Sequence, residues 1–424
     1  MKSLKTIRLF YIFYSLYTVF VVLVSDYKLI YAIVGLFTVW TVFEAYALGF
    51  RSSKKIKLLE AESDERENIT FPFSRIFEWK SYQYLINAVI CWGCSIFAAR
   101  FYTSRNLVNV ITGLLNGNGG YAIYQRYARE ANIGAFTISK IPYILMLTYC
   151  TAMMFWGIVG ILLSNENKRP IQYIYVISII LSYLYFGVAR GTNFEMYIVF
   201  VSLAYCILNK PSSMKKSGSD TRKRIILVGA IGILVVIVFR IVVESRGYVF
   251  RNQICTEIIY DPDKFISVYF PTITSMGLSV FRYLGWGIFT IGYMRWHALD
   301  SLNTMIAMFI PSGWSAILGE SFVETTRKTV DVGVGWVPDY MSLIDLFGIP
   351  FLFIVLFVLG RIYVNLRVSR RPQILVDLLG LFIFIEMLSM PVGNFLVTST
   401  PILLTLFAAL LWYGKCILVA QKRG

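Results

Sequence analysis

Ten stretches of this chain are each apolar over about the length needed to cross a lipid bilayer, and no other feature limits the fold so severely. A hydrocarbon core of roughly 30 Å takes about 20 helical residues to cross. Such stretches run at about 7–24, 29–50, 83–100, 141–163, 171–188, 193–208, 225–243, 342–363, 374–390 and 399–420. Of the 424 residues, 57% are hydrophobic and only 15% charged, too few charges for a water-soluble surface. Hydrocarbon offers no partner to a bare peptide group, so the spans are expected to be helices. The expected fold is an all-α polytopic integral membrane protein of about ten to twelve transmembrane helices. Lys2, Lys5 and Arg8 precede the first apolar run, and no small-residue cleavage site follows, so that run is read as a retained span.

The formal net charge is +16. In a soluble chain that would point to nucleic acid, but no soluble basic domain is present to carry one. In a polytopic chain Lys and Arg set orientation instead. The N-terminus, 51–82, 164–170, 209–224, 364–373 and the C-terminal Gln421-Lys422-Arg423-Gly424 are short and rich in Lys and Arg. These are expected on the cytoplasmic side, which places both termini inside. Two of them, around Lys54 and Lys215, read as solvated linkers.

On the other side lie the long connections, 101–140 and 244–341. The chain thus divides into N-terminal spans with their outer loop (1–243), a long extracytoplasmic segment (244–341) and C-terminal spans (342–424). From Tyr121 the first outer loop is expected to form a short interfacial helix, with Tyr124, Tyr127 and Ala128 on one side and Arg126, Arg129 and Glu130 on another. In the second, Ser279 to Trp296 is apolar but broken by Arg282, Gly285, Gly287 and Arg295. That pattern suits a re-entrant or interfacial element, since irregular backbone survives at membrane depth only beside a cavity.

Five of the six cysteines fall within or at the ends of apolar runs, so no disulfide framework is implied. Cys91-Trp92-Gly93-Cys94 has redox spacing without the strand–helix context of such motifs, and reads as small packing residues.

The chemistry-bearing candidates are outer-side arginines at the ends of spans or immersed elements: Arg190, Arg240, Arg246 and Arg282. Gly191 and Gly247 follow two of them, letting the backbone turn closely and leaving the guanidinium free. Guanidinium matches phosphate oxygens bidentately, and a set of such groups suits a lipid diphosphate. Side chains that snorkel to the interface are the alternative. Arg126, Arg129, Arg251, Tyr248, Tyr283, Asp339 and Asp345 join them as substrate-binding candidates. His297, the single histidine, is a candidate general base or a packing and hydrogen-bonding residue. Glu195, Glu244, Asp331, Asp339 and Asp345 are expected mostly to pair with the arginines. Asp261-Pro262-Asp263 reads as a turn, and the first outer loop holds a single Asp26, so no metal or other cofactor is expected.

The layout of spans, the outer Arg190-Gly191, Phe281 to Phe289, Ser301 to Phe309 and Gly335 to Tyr363 resemble the Wzy-type polymerases of O-antigen and capsular repeat units. Asp345-Leu346-Phe347-Gly348 with Gly360 is similar to the tract that opens the span after that family's long loop, and Tyr121 to Glu130 to its earlier outer loop. The resemblance implies a GT-C-like glycan polymerase or ligase bundle. It would join undecaprenyl-diphosphate-linked oligosaccharides at the outer face of the bacterial cytoplasmic membrane, without metal. By position, Arg190, Arg246 and Arg282 match the arginines taken to hold the anionic carriers. A flippase and a chain-length regulator are the implied partners. A flippase of lipid-linked oligosaccharide and an O-antigen-ligase-like transferase are the competing functions.

Overall fold

The structure, a computed structural model, describes residues 2–53, 76–115, 120–130, 137–164, 168–210, 226–233, 237, 253–255, 258–259, 261–274, 277–278, 286–298, 302–310, 321, 324–325, 338–367, 373–393, 396 and 399–421. Apart from a two-stranded antiparallel ladder of β1 (Gln253–Cys255) and β2 (Ile258–Ile259), its regular elements are helices. Seven of them are long and apolar enough to cross a membrane. Their outward faces are apolar too. On α1 (Lys2–Val24), Tyr11, Tyr14 and Val21 are buried while Leu9, Phe13, Leu16 and Leu23 are exposed. A helix apolar on both faces fits hydrocarbon and not water. The chain is a polytopic membrane protein.

Of the ten expected spans, seven appear as full-length helices among the described residues. Two more are apolar helices of 16 and 17 residues, Phe194–Asn209 and Gln373–Ser389. The tenth, 225–243, is described as helix at 226–233.

The chain forms two compact units, each built from separated stretches. The first comprises Met1–Glu62, Val249–Val368 and Glu386–Phe395. At its centre is α2 (Leu29–Arg51), which meets two helices through glycines. Gly49 and Gly360 lie where α2 crosses α12 (Asp339–Arg367), and a Cβ on either would run into the other helix's backbone. Gly35 and Gly292 do the same against α10 (Trp286–Ala298). Small residues let backbones approach where the bilayer supplies no hydrophobic drive between helices. In α12, Gly348 has φ +74 and ψ 162, which breaks the helix; its Cα also faces the Phe309 carbonyl at the end of α11 (Leu302–Phe309). Pro350 then begins the second segment, where its missing N–H costs nothing. A short helix, α9 (Phe265–Tyr269), precedes α10.

The second unit comprises Ser63–Tyr248, Ser369–Ile385 and Leu396–Gly424. Here α3 (Ser81–Thr103) packs against α7 (Pro170–Arg190), with Ser95 Oγ donating to the Ser182 carbonyl at 2.6 Å and Trp92 Nε1 to Ser178 Oγ at 3.1 Å. Its other flank meets α6 (Ile141–Gly157), which ends in a π-helical turn, Ile158–Leu162. Two short helices, α4 (Leu107–Leu115) and α5 (Gly120–Glu130), lie between α3 and α6 in sequence. After α7 come α8 (Phe194–Asn209), α13 (Gln373–Ser389) and α14 (Thr400–Gln421). The α13 stretch 375–385 is buried on every face, with Phe382 against Phe155 at 5.0 Å and Phe384 against Tyr205 at 5.3 Å. An all-round apolar helix is one surrounded by others.

Candidate functional site

In the second unit the site is built on the end of α7. Gly191, at φ +67, stops the helix: its N–H donates to the Val188 carbonyl at 3.0 Å and the Thr192 N–H to the Gly187 carbonyl at 2.9 Å. This left-handed cap satisfies carbonyls that the helix leaves open. It also turns the chain at once into α8, so that Glu195 in the first turn of α8 comes back to Arg190 in the last turn of α7.

The Arg190 guanidinium is hydrogen-bonded and ion-paired to Glu195 Oε1 and lies over the Phe186 ring at 4.4 Å. Thr192 Oγ1 donates to Glu195 Oε2 at 2.9 Å. The expectation of a free guanidinium is therefore corrected: the Arg-Gly turn forms, but the turn itself delivers the carboxylate that engages the arginine. Each charge sits at the helix end that favours it, the cation at a C-terminus and the anion at an N-terminus. Some capacity remains. Among the described residues, Arg190 Nε and both amide atoms of Asn193 are buried without a hydrogen-bond partner.

A second guanidinium, which the sequence did not single out, reaches the same helix end. Arg105, just past α3, donates from Nη1 to the Ala189 carbonyl at 3.3 Å and from Nη2 to the Asn109 carbonyl at 2.8 Å. It is 8% exposed. Burial pulls its basicity below the ordinary arginine value, and it stays charged all the same. The signal available in the sequence was an arginine five residues beyond the end of the apolar run 83–100.

The start of α5 rests on both groups. A Cβ on Gly191 would lie 2.6 Å from the Tyr121 backbone nitrogen, and one on Gly120 would meet the Arg105 guanidinium. Arg190 feels Tyr124 as an electrostatic neighbour. Along α5, Tyr121, Tyr124 and Tyr127 are partly buried while Arg126, Arg129 and Glu130 are exposed, the two-sided helix expected. The structure thus joins Arg190 to the aromatic face of α5 and leaves Arg126 and Arg129 on the outward face.

In the first unit, His297 lies on α10 among tyrosines. Its Nε2 is 3.2 Å from Tyr31 Oη, and its ring stands 4.3 Å from that of Tyr293. The packing and hydrogen-bonding role is visible here. Asp339 opens α12 and is 2% exposed. Its N–H donates to the Met390 carbonyl at 2.9 Å, and its carboxyl is a hydrogen-bonding neighbour of the Glu386 carboxyl. An arginine was expected; among the described residues its charged neighbour is another acid. Tyr11 Oη and Tyr14 Oη hold the same turn, donating to the Met387 and Pro391 carbonyls at 2.9 and 3.4 Å. Glu386, a carboxylate inside an apolar run, was the overlooked signal. Asp345 is partly buried on the α12 segment before Gly348.

Arg240, Arg246, Arg251, Arg282, Tyr248 and Tyr283 lie outside the described residues, as do Glu244 and Asp331. Among the described residues no group of three His, Cys, Asp or Glu side chains is arranged to hold a metal ion. No protein-family model matches the chain, and no curated protein or solved structure matches it closely.

Proposed function

We propose that the chain is a glycosyltransferase of the bacterial cytoplasmic membrane, a polymerase that joins undecaprenyl-diphosphate-linked repeat units at the outer face. The observation that supports this reading best is the pair of guanidinium groups, buried Arg105 and partly buried Arg190, converging on one helix end. With both termini inside and ten to twelve spans, that end belongs to the outer side, where a lipid diphosphate would arrive. A GT-C-like arrangement suits such a substrate, because its carrier lies in the bilayer.

The reaction places little demand on acid catalysis. A sugar hydroxyl of one lipid-linked unit attacks the anomeric carbon of the other; the bond to the diphosphate oxygen breaks, and the hydroxyl proton passes to a base. His297 is the candidate for that base. Diphosphate leaves readily, so the protein has chiefly to stabilise the growing charge and orient the hydroxyl. Preorganised cations in a water-poor site do the first. Two membrane-held substrates do much of the second. Glu195 competes for Arg190 in the resting state, so an arriving anion draws first on Arg105 and the unused Nε of Arg190. By the resemblance, Arg246 and Arg282 are further candidates to hold the anionic carriers, and both lie outside the described residues. A flippase and a chain-length regulator are the proposed partners.

The test is a strain lacking the native chain and complemented with variants. Arg190→Ala, Arg246→Ala and Arg282→Ala should each leave single repeat units at the surface and no polymer. Unchanged chain length in all three rejects the polymerase. A purified protein given lipid-linked units and no other acceptor separates polymerase from ligase, since only the former makes a ladder. A second reading, a flippase, is favoured by one observation: Asp339, 2% exposed, has Glu386 as a neighbour, and buried acidic groups are what transporters carry inside their helices. Loss of a flippase traps units inside, which the same strain reports.

A further inference from the structure

The cysteine motif acquires a partner in the folded chain. Cys91 and Cys94, three residues apart, project from one face of α3, and α6 brings Cys150 to them. Cys150 Sγ donates to the Cys91 carbonyl at 3.2 Å. Its thiol is also a hydrogen-bonding neighbour of the thiols of both Cys91 and Cys94. The register is held one turn away by Asn87, whose Nδ2 donates to Tyr149 Oη at 2.5 Å and to Met153 Sδ at 3.2 Å, and whose Oδ1 accepts from Tyr175 Oη at 2.8 Å. Cys91 also donates to Asn87 Oδ1, at 3.6 Å.

Access is unequal. Cys91 and Cys150 are buried, whereas Cys94 is partly exposed. A Cβ on the adjacent Gly93 would meet nothing within 4 Å, and Val89, Ile90 and Phe97 form an exposed apolar face beside it. A small lipophilic reagent therefore reaches Cys94 first, with the buried Cys150 as its neighbour on α6.

We propose that Cys94 and Cys150 form a redox-modification site that closes to a disulfide by exchange with a lipophilic disulfide. In the first step the Cys94 sulfur loses its proton and displaces one half of the external disulfide, giving a mixed disulfide and one small thiol. In the second the Cys150 sulfur attacks the Cys94 sulfur and expels the other half, with its proton passing to the departing thiolate. One external disulfide is reduced to two thiols, and two protein thiols are oxidised. Cys91, on the same helix as Cys94, is not needed for closure. The bond ties α3, which leads into Arg105, to α6.

The test uses the full chain in lipid vesicles with Cys206, Cys255 and Cys416 changed to Ala, and dithiodipyridine as the oxidant. The expected release is about two thiopyridones per chain, with peptide mapping finding Cys94 joined to Cys150 and dithiothreitol reversing the bond. Cys150→Ser should release about one and retain a stable adduct on Cys94, while Cys91→Ser should still release about two. Cys94→Ser should react with neither remaining thiol until the protein is unfolded. The proposal is overturned if the parent keeps the reagent on Cys94 while Cys150 stays open to alkylation, if the bond found involves Cys91, or if nothing reacts.

Discussion

Arg190 and Glu195 show how a single turn can neutralise its own functional candidate. With Glu195 only 3% exposed at its side chain, deleting it leaves a cation with little water to replace the carboxylate. Glu195→Ala should cost about 3 kcal/mol, measured as a lower unfolding midpoint of the detergent-solubilised protein. Adding Arg190→Ala should return most of that loss, because a missing pair costs less than half a pair. A double variant no more stable than the single one would show that the two charges are not coupled. The Asp339 and Glu386 pair makes the complementary case. Asp339→Asn keeps the shape of the side chain and offers an amide hydrogen to Glu386, so its stability should stay within about 1 kcal/mol of the parent. Asp339→Ala leaves Glu386 facing a gap and should lose about 2 kcal/mol or more in the same assay.

Among the elements, α2 and α12 carry the constraint most open to test. Their crossing at Gly49 and Gly360 leaves no volume for a methyl group on either side. Gly360→Ala should therefore force the helices apart and cost about 1–3 kcal/mol. Gly414 on α14 is the control, since nothing lies within 4 Å of a Cβ there. Gly414→Ala should be neutral or stabilising by up to about 1 kcal/mol, through the helix propensity of Ala alone. Gly348→Ala meets two obstacles, a backbone conformation that residues with a Cβ avoid and the Phe309 carbonyl. A loss of about 1–3 kcal/mol is expected, seen as lower thermal stability and yield. The resemblance drawn from Asp345 to Gly360 thus rests partly on glycines that have a packing reason of their own.

At the scale of the molecule, the two compact units are assembled from stretches far apart in the chain, with Met1–Glu62 joined to Val249–Val368. Reading the sequence in order finds spans, because a run of apolar residues reports its solvent locally. It also finds the α7 cap, since Gly after Arg at the end of an apolar run is a local signal as well. It overlooks Glu386, 47 residues from Asp339 by their numbers, because no periodicity links a carboxyl in one helix to a carboxyl at the start of another. The short helices α8 and α13 make a related point: apolar composition marked both as spans, and their described lengths fall below the full-length helices.

The amino-acid order alone determined that this chain lives in hydrocarbon, roughly where its spans lie, and which side groups are chemically capable. Those properties depend on the comparison of a local stretch with the bilayer and with water. Only the tertiary structure decided that Arg105 closes on the end of α7, that Asp339 faces Glu386, and that Cys150 meets Cys91 and Cys94. Each of those meetings depends on how far two helices are rotated and shifted against each other, and that is settled by the packing of their whole surfaces rather than by any residue's neighbours in sequence.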